Sequence, residues 1–307
     1  MAQTVAGAGA AIVLEARAKV NLTLEILGKR ADGYHNLASV MQTVELHDSV
    51  TVGPSSSLIV ECDDDSIPQE SNLAMKAALA LREQVGVRSG AHIKIAKRIP
   101  VAAGLGGGSS DAAAALLGLT RLWALELPPH RLEQVAASVG SDVPFFLEGG
   151  TALVQGRGDE IVPLPPASIE WIVILSPALA PAEKTKAAFA RIEPGLYTRG
   201  TLTHKLAGRI RGGGDVPAQF LFNAFDSIAS ELFTGLQEYR EAFARVGTRE
   251  ITLSGTGPSM FALAPSREIG LAWQLMLQSR YGWDAFLTRA WRPQAARGHR
   301  GYRGQAI

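Results

Sequence analysis

Val20, Leu22, Leu24 and Ile26 alternate with Asn21, Thr23 and Glu25, a period of two that predicts a half-buried strand. The alternation returns at Ser39–Leu46, Ser49–Val52 and Leu58–Cys62, so residues 12–62 read as β-rich, with Asp32-Gly33 as a turn. The period then lengthens. Leu73, Ala77, Leu81 and Val85 predict a helix over 72–85, ended by Gly86. Ala91–Ile99 alternates again and stops at Pro100, which has no N–H for a ladder. An alanine-rich helix follows from Ser109 or Ser110 to about 126, and Pro128-Pro129 opens another to Val139. Gly140-Ser-Asp-Val-Pro144 reads as a loop, with Val143 biased to extended backbone by Pro144, and a hairpin follows over Thr151–Leu164.

The Pro163–Pro166 stretch divides the chain. Beyond it come a strand at Trp171–Leu175 and helices over about 182–191, 217–232 and 236–246. Strands at Ile251–Leu253 and Met260–Leu263 flank Ser254-Gly-Thr-Gly-Pro258, and a helix (267–279) and a strand (283–289) complete the pattern. The expectation is an α+β chain of two domains, 11–165 and 166–290, with residues 1–10 and 291–307 as disordered tails.

Composition narrows the functions open to it. The 307 residues can bury a full core, and 30 Lys+Arg against 29 Asp+Glu give a net charge of +1. Such a balance offers no field to draw in nucleic acid or an anionic membrane. Arg292, Arg297, Arg300 and Arg303 form a basic tail, too sparse for more than a weak nucleic-acid contact. Cys62 is the only cysteine, no basic segment precedes the apolar N-terminal residues, and no apolar run reaches ~20 residues. A cytoplasmic protein outside the membrane is expected. Asp63-Asp64-Asp65 reads as a solvated acidic loop.

The most informative stretch joins the Ala91–Ile99 strand to the alanine-rich helix. Four of the eight residues after Pro100 are glycine: Gly104, Gly106, Gly107 and Gly108. Without Cβ atoms, backbone N–H groups can approach a ligand closely, and the helix start adds free N–H groups and a positive dipole end. A phosphate is the usual occupant of such a turn. The competing reading is an ordinary turn with Ser109 or Ser110 as N-cap. No lysine follows as in a Walker A loop, and Ser109 stands where a dinucleotide fingerprint needs its third glycine. By spelling alone Asp142 reads equally as a turn cap or as a carboxylate presented beyond a helix end, and Lys19 reads as a surface lysine.

Pro100 to Ala113, Pro-x-x-x-Gly-Leu-Gly-Gly-Gly-Ser-Ser-Asp-Ala-Ala, resembles the ATP loop of the GHMP small-molecule kinases. Its four-glycine form, Gly104–Ser110, and the blocks Ala18-Lys-Val-Asn-Leu22, Arg30-Ala-Asp-Gly-Tyr-His-Asn-Leu37 and Ser141-Asp-Val-Pro-Phe145 are similar to the branch of that superfamily that phosphorylates 4-diphosphocytidyl-2-C-methyl-D-erythritol. Leu253-Ser-Gly-Thr-Gly-Pro-Ser259 resembles the late glycine loop of the superfamily as a whole. The blocks stand in the right order over nearly the whole chain. The resemblance implies a two-domain GHMP kinase fold, with an N-terminal ribosomal-protein-like domain, a C-terminal ferredoxin-like domain and the site between them. It implies phosphorylation of that substrate's 2-hydroxyl by ATP with Mg²⁺, in the non-mevalonate route to isopentenyl diphosphate.

Carried over by motif, Asp142 is the base and Lys19 its cationic partner. ATP is held by Pro100, Val101, Ala102, Ala103, Gly104, Leu105, Gly106, Gly107, Gly108, Ser109 and Ser110, and no residue is assigned to the Mg²⁺. Tyr34 offers a face for cytosine and His35 hydrogen bonds to its edge, Asn21 is a polar neighbour of Lys19, and Thr185 takes the place of a threonine that closes over the substrate. The loop Ser176–Thr185 contains no aromatic, the first being Phe189, so the far wall of the cytosine pocket is unassigned. The expected partner is a small molecule, with the chain a monomer or weak homodimer. The rivals are another kinase of the superfamily, such as homoserine or mevalonate kinase, and a non-catalytic RNA-binding protein using the Arg292–Arg303 tail.

Overall fold

The computed structural model describes residues 11–179 and 184–293, without the side chains of 184–186. The chain opens with two long strands, β1 (Ile12–Lys29) and β2 (His35–Gly53), and then β3 (Leu58–Cys62). Helix α1 (Leu73–Val85) is capped by Asn72, whose Oδ1 accepts the Ala74 N–H at 2.9 Å, and ends on left-handed Gly86. After β4 (Ala91–Ala96) come α2 (Gly107–Leu122), α3 (Pro129–Val139), α4 (Val143–Glu148), β5 (Thr151–Gly156) and β6 (Glu160–Leu164). The second half runs β7 (Trp171–Ser176), α5 (Lys184–Ala190), α6 (Thr201–Arg211), β8 (Phe222–Asn223), α7 (Ala229–Leu232) and α8 (Leu236–Arg245). It finishes with β9 (Thr252–Leu253), β10 (Met260–Ala264), α9 (Arg267–Tyr281) and β11 (Asp284–Thr288).

Two sheets result. The first runs β3-β4-β2-β1-β8, and β5 pairs with the other end of β2 and carries β6; the second is antiparallel in the order β11-β7-β10-β9. The chain leaves the first sheet at Leu164 and enters the second at Trp171, but β8 returns to pair in parallel with β1 at Thr23 and Leu24. Helices α1, α2 and α3 cover one face of the first sheet, burying Leu81, Leu116 and Leu119 against Val52 and Ile93. Gly118 lets α2 lie close: a Cβ there would sit 2.6 Å from Val52 Cγ2. On the other face, Ala18, Val20 and Leu22 of β1 join Ile172, Ile174 and Phe261 of the second sheet in one apolar cluster. Strand alternation therefore sends Lys19 and Asn21 to the opposite side, and register shifts against β2 fall on either side of this pair.

Several expectations are corrected. The strands expected at Ser39–Leu46 and Ser49–Val52 are one strand, β2. Helix α2 begins at Gly107, not at Ser109 or Ser110, because Gly106 caps it through its own left-handed backbone at φ 74°. Val143 is helical, since Pro144 sits in the first turn of α4, where a missing N–H costs nothing. The helix expected over 217–232 is broken into two 3₁₀ turns, β8 and α7, while α6 was not anticipated. Residues 291–293, expected as the start of a tail, lie along β2: the Trp291 N–H donates to Thr43 O at 2.9 Å. Residues 1–10 and 294–307, with Arg297, Arg300 and Arg303, fall outside the described residues. No described helix is long and apolar enough to cross a membrane.

Candidate active site

A cleft of about 560 Å³ opens where the middle of β1, the glycine loop, the turn before α4 and the β9–β10 loop converge. Two glycines of its wall, Gly104 and Gly106, leave no room for a side chain. Gly104 has φ 84°, and a Cβ there would lie 2.2 Å from Ser254 O of the β9–β10 loop. Gly106 has φ 74°, and a Cβ there would lie 2.7 Å from Phe146 Cζ and 3.1 Å from Lys19 Cγ. The two loops are tied together: Ser254 Oγ donates to Gly104 O at 2.9 Å, and the Ser259 N–H donates to Ala103 O at 3.1 Å. Ala102 holds φ 53°, a left-handed backbone in a residue with a Cβ. The first amides of α2 have no intrahelical acceptor, so this bend gathers N–H groups and the positive helix end at one place. That is a cradle for a polyphosphate.

Of the loop residues singled out in the sequence, Pro100–Gly104 and Gly106–Ser109 line the cleft. Two are not among the lining residues. Leu105 is buried in the apolar cluster between the sheets, contributing its carbonyl to the Lys19 N–H at 2.9 Å. Ser110 is buried along α2 and borders a separate groove of about 140 Å³ beside Arg17 and Trp291.

Lys19, 4% exposed, and half-buried Asp142 line the same cleft. Burial draws the Lys19 ammonium below the ordinary lysine range, and the charge of Asp142 pulls against that shift. Asn21 fixes the lysine: its Oδ1 accepts from Lys19 Nζ at 2.6 Å and from the Gly255 N–H at 2.9 Å, while its Nδ2 donates to Ser39 Oγ at 2.8 Å. The amide is thus committed to protein partners. Asp142 occupies the N-cap of α4 but makes no side-chain capping hydrogen bond, which disposes of the turn-cap reading.

Behind the other end, His35 is buried and absent from the lining, and its Nε2 has no hydrogen-bond partner among the described residues. Burial, helped by Lys29, lowers its pKa, so the ring is neutral near pH 7. Phe189 of α5 lines the cleft with its ring centroid 5.4 Å from that of His35. An aromatic therefore stands where the sequence left a wall unassigned. Tyr34 is 60% exposed and absent from the lining, but packs against the guanidinium of Arg157, a lining residue, at 5.2 Å. Thr185 falls in the first turn of α5, and its side chain is outside the described residues.

Sequence reasoning passed over Arg157, in the β5–β6 turn, and Lys97 and Asp111, all of which line the cleft. Asp111 follows the serine pair directly, and that adjacency was the available signal.

The chain is similar to known proteins over most of its length. Residues 72–150 match the family described as GHMP kinases N terminal domain. The chain is 43% identical over 253 residues to a 4-diphosphocytidyl-2-C-methyl-D-erythritol kinase of Dehalococcoides mccartyi, covering 82% of this chain and 89% of that protein. A protein of the same name from Acaryochloris marina is 40% identical, over 84% of this chain and 88% of its own. A crystal structure of 4-(cytidine 5'-diphospho)-2C-methyl-D-erythritol kinase superposes with a TM-score of 0.78 at 32% identity, covering 92% of this chain and 100% of that one. The mevalonate kinase of L. major, at 17% identity and a TM-score of 0.71 over 96% of this chain and 100% of its own, shares the fold. With an α+β GHMP kinase fold and relatives this similar over most of its length, the chain belongs to the 4-diphosphocytidyl-2-C-methyl-D-erythritol kinase family.

Proposed function

We propose that this chain transfers the terminal phosphoryl group of ATP, supplied as its Mg²⁺ complex, to the 2-hydroxyl of 4-diphosphocytidyl-2-C-methyl-D-erythritol. The products are the 2-phosphate and ADP, a step of the non-mevalonate route to isopentenyl diphosphate. The observation that carries this reading is the sharing of one cleft by the glycine cradle, Lys19 and Asp142.

Phosphoryl transfer asks a protein mainly for positioning and charge. The amides from Gly104 to Ser109 hold the phosphates of the Mg²⁺-bound nucleotide, with the β9–β10 loop buttressing them through Ser254. Mg²⁺ would enter on the nucleotide's own phosphates, since the described residues include no group of three or more His, Cys, Asp and Glu side chains placed to hold a metal, and there it would offset charge on the transferring oxygens. Asp142 accepts the proton of the attacking hydroxyl as its oxygen bonds to phosphorus and the bond to the bridging oxygen of ADP breaks. Lys19, held by Asn21, shares the cleft with that carboxylate and balances the charge gathering on oxygen. At the other end, the unpartnered Nε2 of neutral His35 matches the polar edge of cytosine, between Phe189 and Tyr34 as stacking faces.

ADP release measured with purified chain tests this directly. Turnover should require the cytidylyl substrate, with mevalonate and homoserine inert; equal turnover with either of those would assign the chain to another activity.

Two variants test the parts. Phe189→Ala should raise KM for the cytidylyl substrate by roughly tenfold, since stacking on an aromatic is worth about 1–3 kcal/mol per base, and leave KM for ATP as it was. A parallel rise in both constants would place Phe189 outside the cytosine pocket. Because burial lowers the Lys19 pKa, kcat should fall on its alkaline limb at a pH below that of an ordinary lysine. Lys19→Arg, whose guanidinium stays charged, should move that limb upward; an unmoved limb would mean that another group titrates.

A further inference from the structure

Behind the glycine loop lies a buried cluster that the transfer chemistry does not use. Lys97 Nζ donates to Asp48 Oδ2 and Asp111 Oδ2, at 2.5 and 2.7 Å, with the three side chains 8%, 0% and 4% exposed. The other oxygen of Asp48 accepts the N–H groups of Arg98 and Ile99, so this carboxylate is fully engaged. The other oxygen of Asp111 is buried and without a partner among the described residues. Two carboxylates against one ammonium leave one negative charge in excess.

That excess stands where the nucleotide is to arrive. Lys97 and Asp111 both line the cleft, Asp111 is carried on the first turns of α2, and a Cβ on Gly107 would lie 3.3 Å from Lys97 Nζ. The groups facing the carboxyl are Lys97 beyond β4, Asp48 of β2 and the thiol of Cys62 of β3. Asp63 lies next to them and accepts the Lys97 backbone N–H at 2.8 Å. Helix α1 presents uncharged Asn72 and Leu73, and Lys19 and Asp142 line the same cleft.

Burial, resisted by Lys97, pushes the Asp111 carboxyl up to about 7. Burial also works against the Lys97 ammonium, but Asp111 and Asp48 outweigh it and raise its pKa. The movable proton in the cluster is therefore that of Asp111. An anion brought near a carboxylate raises its affinity for a proton, and by reciprocity the proton raises affinity for the anion.

We propose that Asp111 is a positioning residue for the nucleotide: when a triphosphate enters the glycine loop, Asp111 takes a proton from solvent, cancelling the excess charge and leaving Lys97 paired with Asp48 as its one ionised partner. The inference rests on the reading that this loop holds ATP. Its consequence is a nucleotide affinity that weakens as pH rises through neutrality, by on the order of three- to tenfold, the effect of a pKa displaced by up to one unit.

Calorimetry of the full chain tests it. The Mg²⁺ complex of a non-hydrolysable ATP analogue is titrated at pH 7.5 in two buffers of different ionisation heat. Wild-type protein should take up a fraction of a proton per nucleotide bound. Asp111→Asn, which resembles the protonated acid in shape and charge, should take up less by that fraction and should lose the decline in affinity between pH 6.5 and 8.5. The analogue's own titration is common to both proteins and cancels in the comparison. If the variant does not fold, wild type is titrated in the absence of acceptor with MgATP itself, whose phosphates are fully ionised at pH 7.5, and buffer-independent heat there overturns the proposal. Equal uptake by wild type and variant also overturns it, with the nucleotide site left standing. Absence of binding in either buffer removes the nucleotide site itself and this inference with it.

Discussion

Asp142→Asn is expected to lower kcat by about 10²–10⁴-fold, the usual cost of losing a positioned base, with the Kd for a non-hydrolysable ATP analogue unchanged. The asymmetry follows from geometry. The amide keeps the size of the side chain at the start of α4, so the glycine cradle and its buttress at Ser254 are untouched. What disappears is the acceptor for the hydroxyl proton and the negative charge that supports the ammonium of buried Lys19. The variant's lysine should therefore lose its proton at lower pH than in the wild type, adding to the loss of rate on the alkaline side. Retention of wild-type kcat would remove Asp142 from the chemistry, and a matching loss of nucleotide affinity would make it a binding residue instead.

Gly104→Ala should cost about 3 kcal/mol or more of stability, from two sources that add. An alanine at φ 84° is strained wherever it stands. Its Cβ would also sit 2.2 Å from Ser254 O, a backbone atom that cannot swing aside, so the two glycine loops must separate. The melting temperature should drop by on the order of 5–10 °C. Gly108→Ala is the control: its Cβ would meet Leu73 Cδ1 at 3.6 Å, ordinary contact, on helical backbone. Scanning calorimetry of the pair decides the matter. Equal melting temperatures would mean that the loops are not locked as described.

Local rules were legible where the residues themselves impose them. The alternation of Val20–Ile26 sets β1, and the glycines around Gly106 announce a close backbone approach. Long-range rules were not. Asp48 breaks the apolar alternation of β2 and suggests a turn, yet it is buried because Lys97, 49 residues away, pairs with it. Helix α6 carries four Arg, Lys and His side chains among its 11 residues together with Gly208, and its first turn is anchored by Glu25 Oε2, which accepts the Thr203 N–H at 2.7 Å from 178 residues away. No local spelling records that contact. At the site, the glycine loop, Lys19 and Asp142 were readable through motifs. The wall supplied by Phe189 was not, because its approach to His35 depends on how α5 docks.

The most direct measurement is a crystal structure of the chain with Mg²⁺ and a non-hydrolysable ATP analogue. The triphosphate should lie on the amides between Gly104 and Ser109, with its terminal phosphate facing Asp142 and Lys19. An analogue bound elsewhere with that loop empty, or a terminal phosphate turned away from Asp142, would contradict the account.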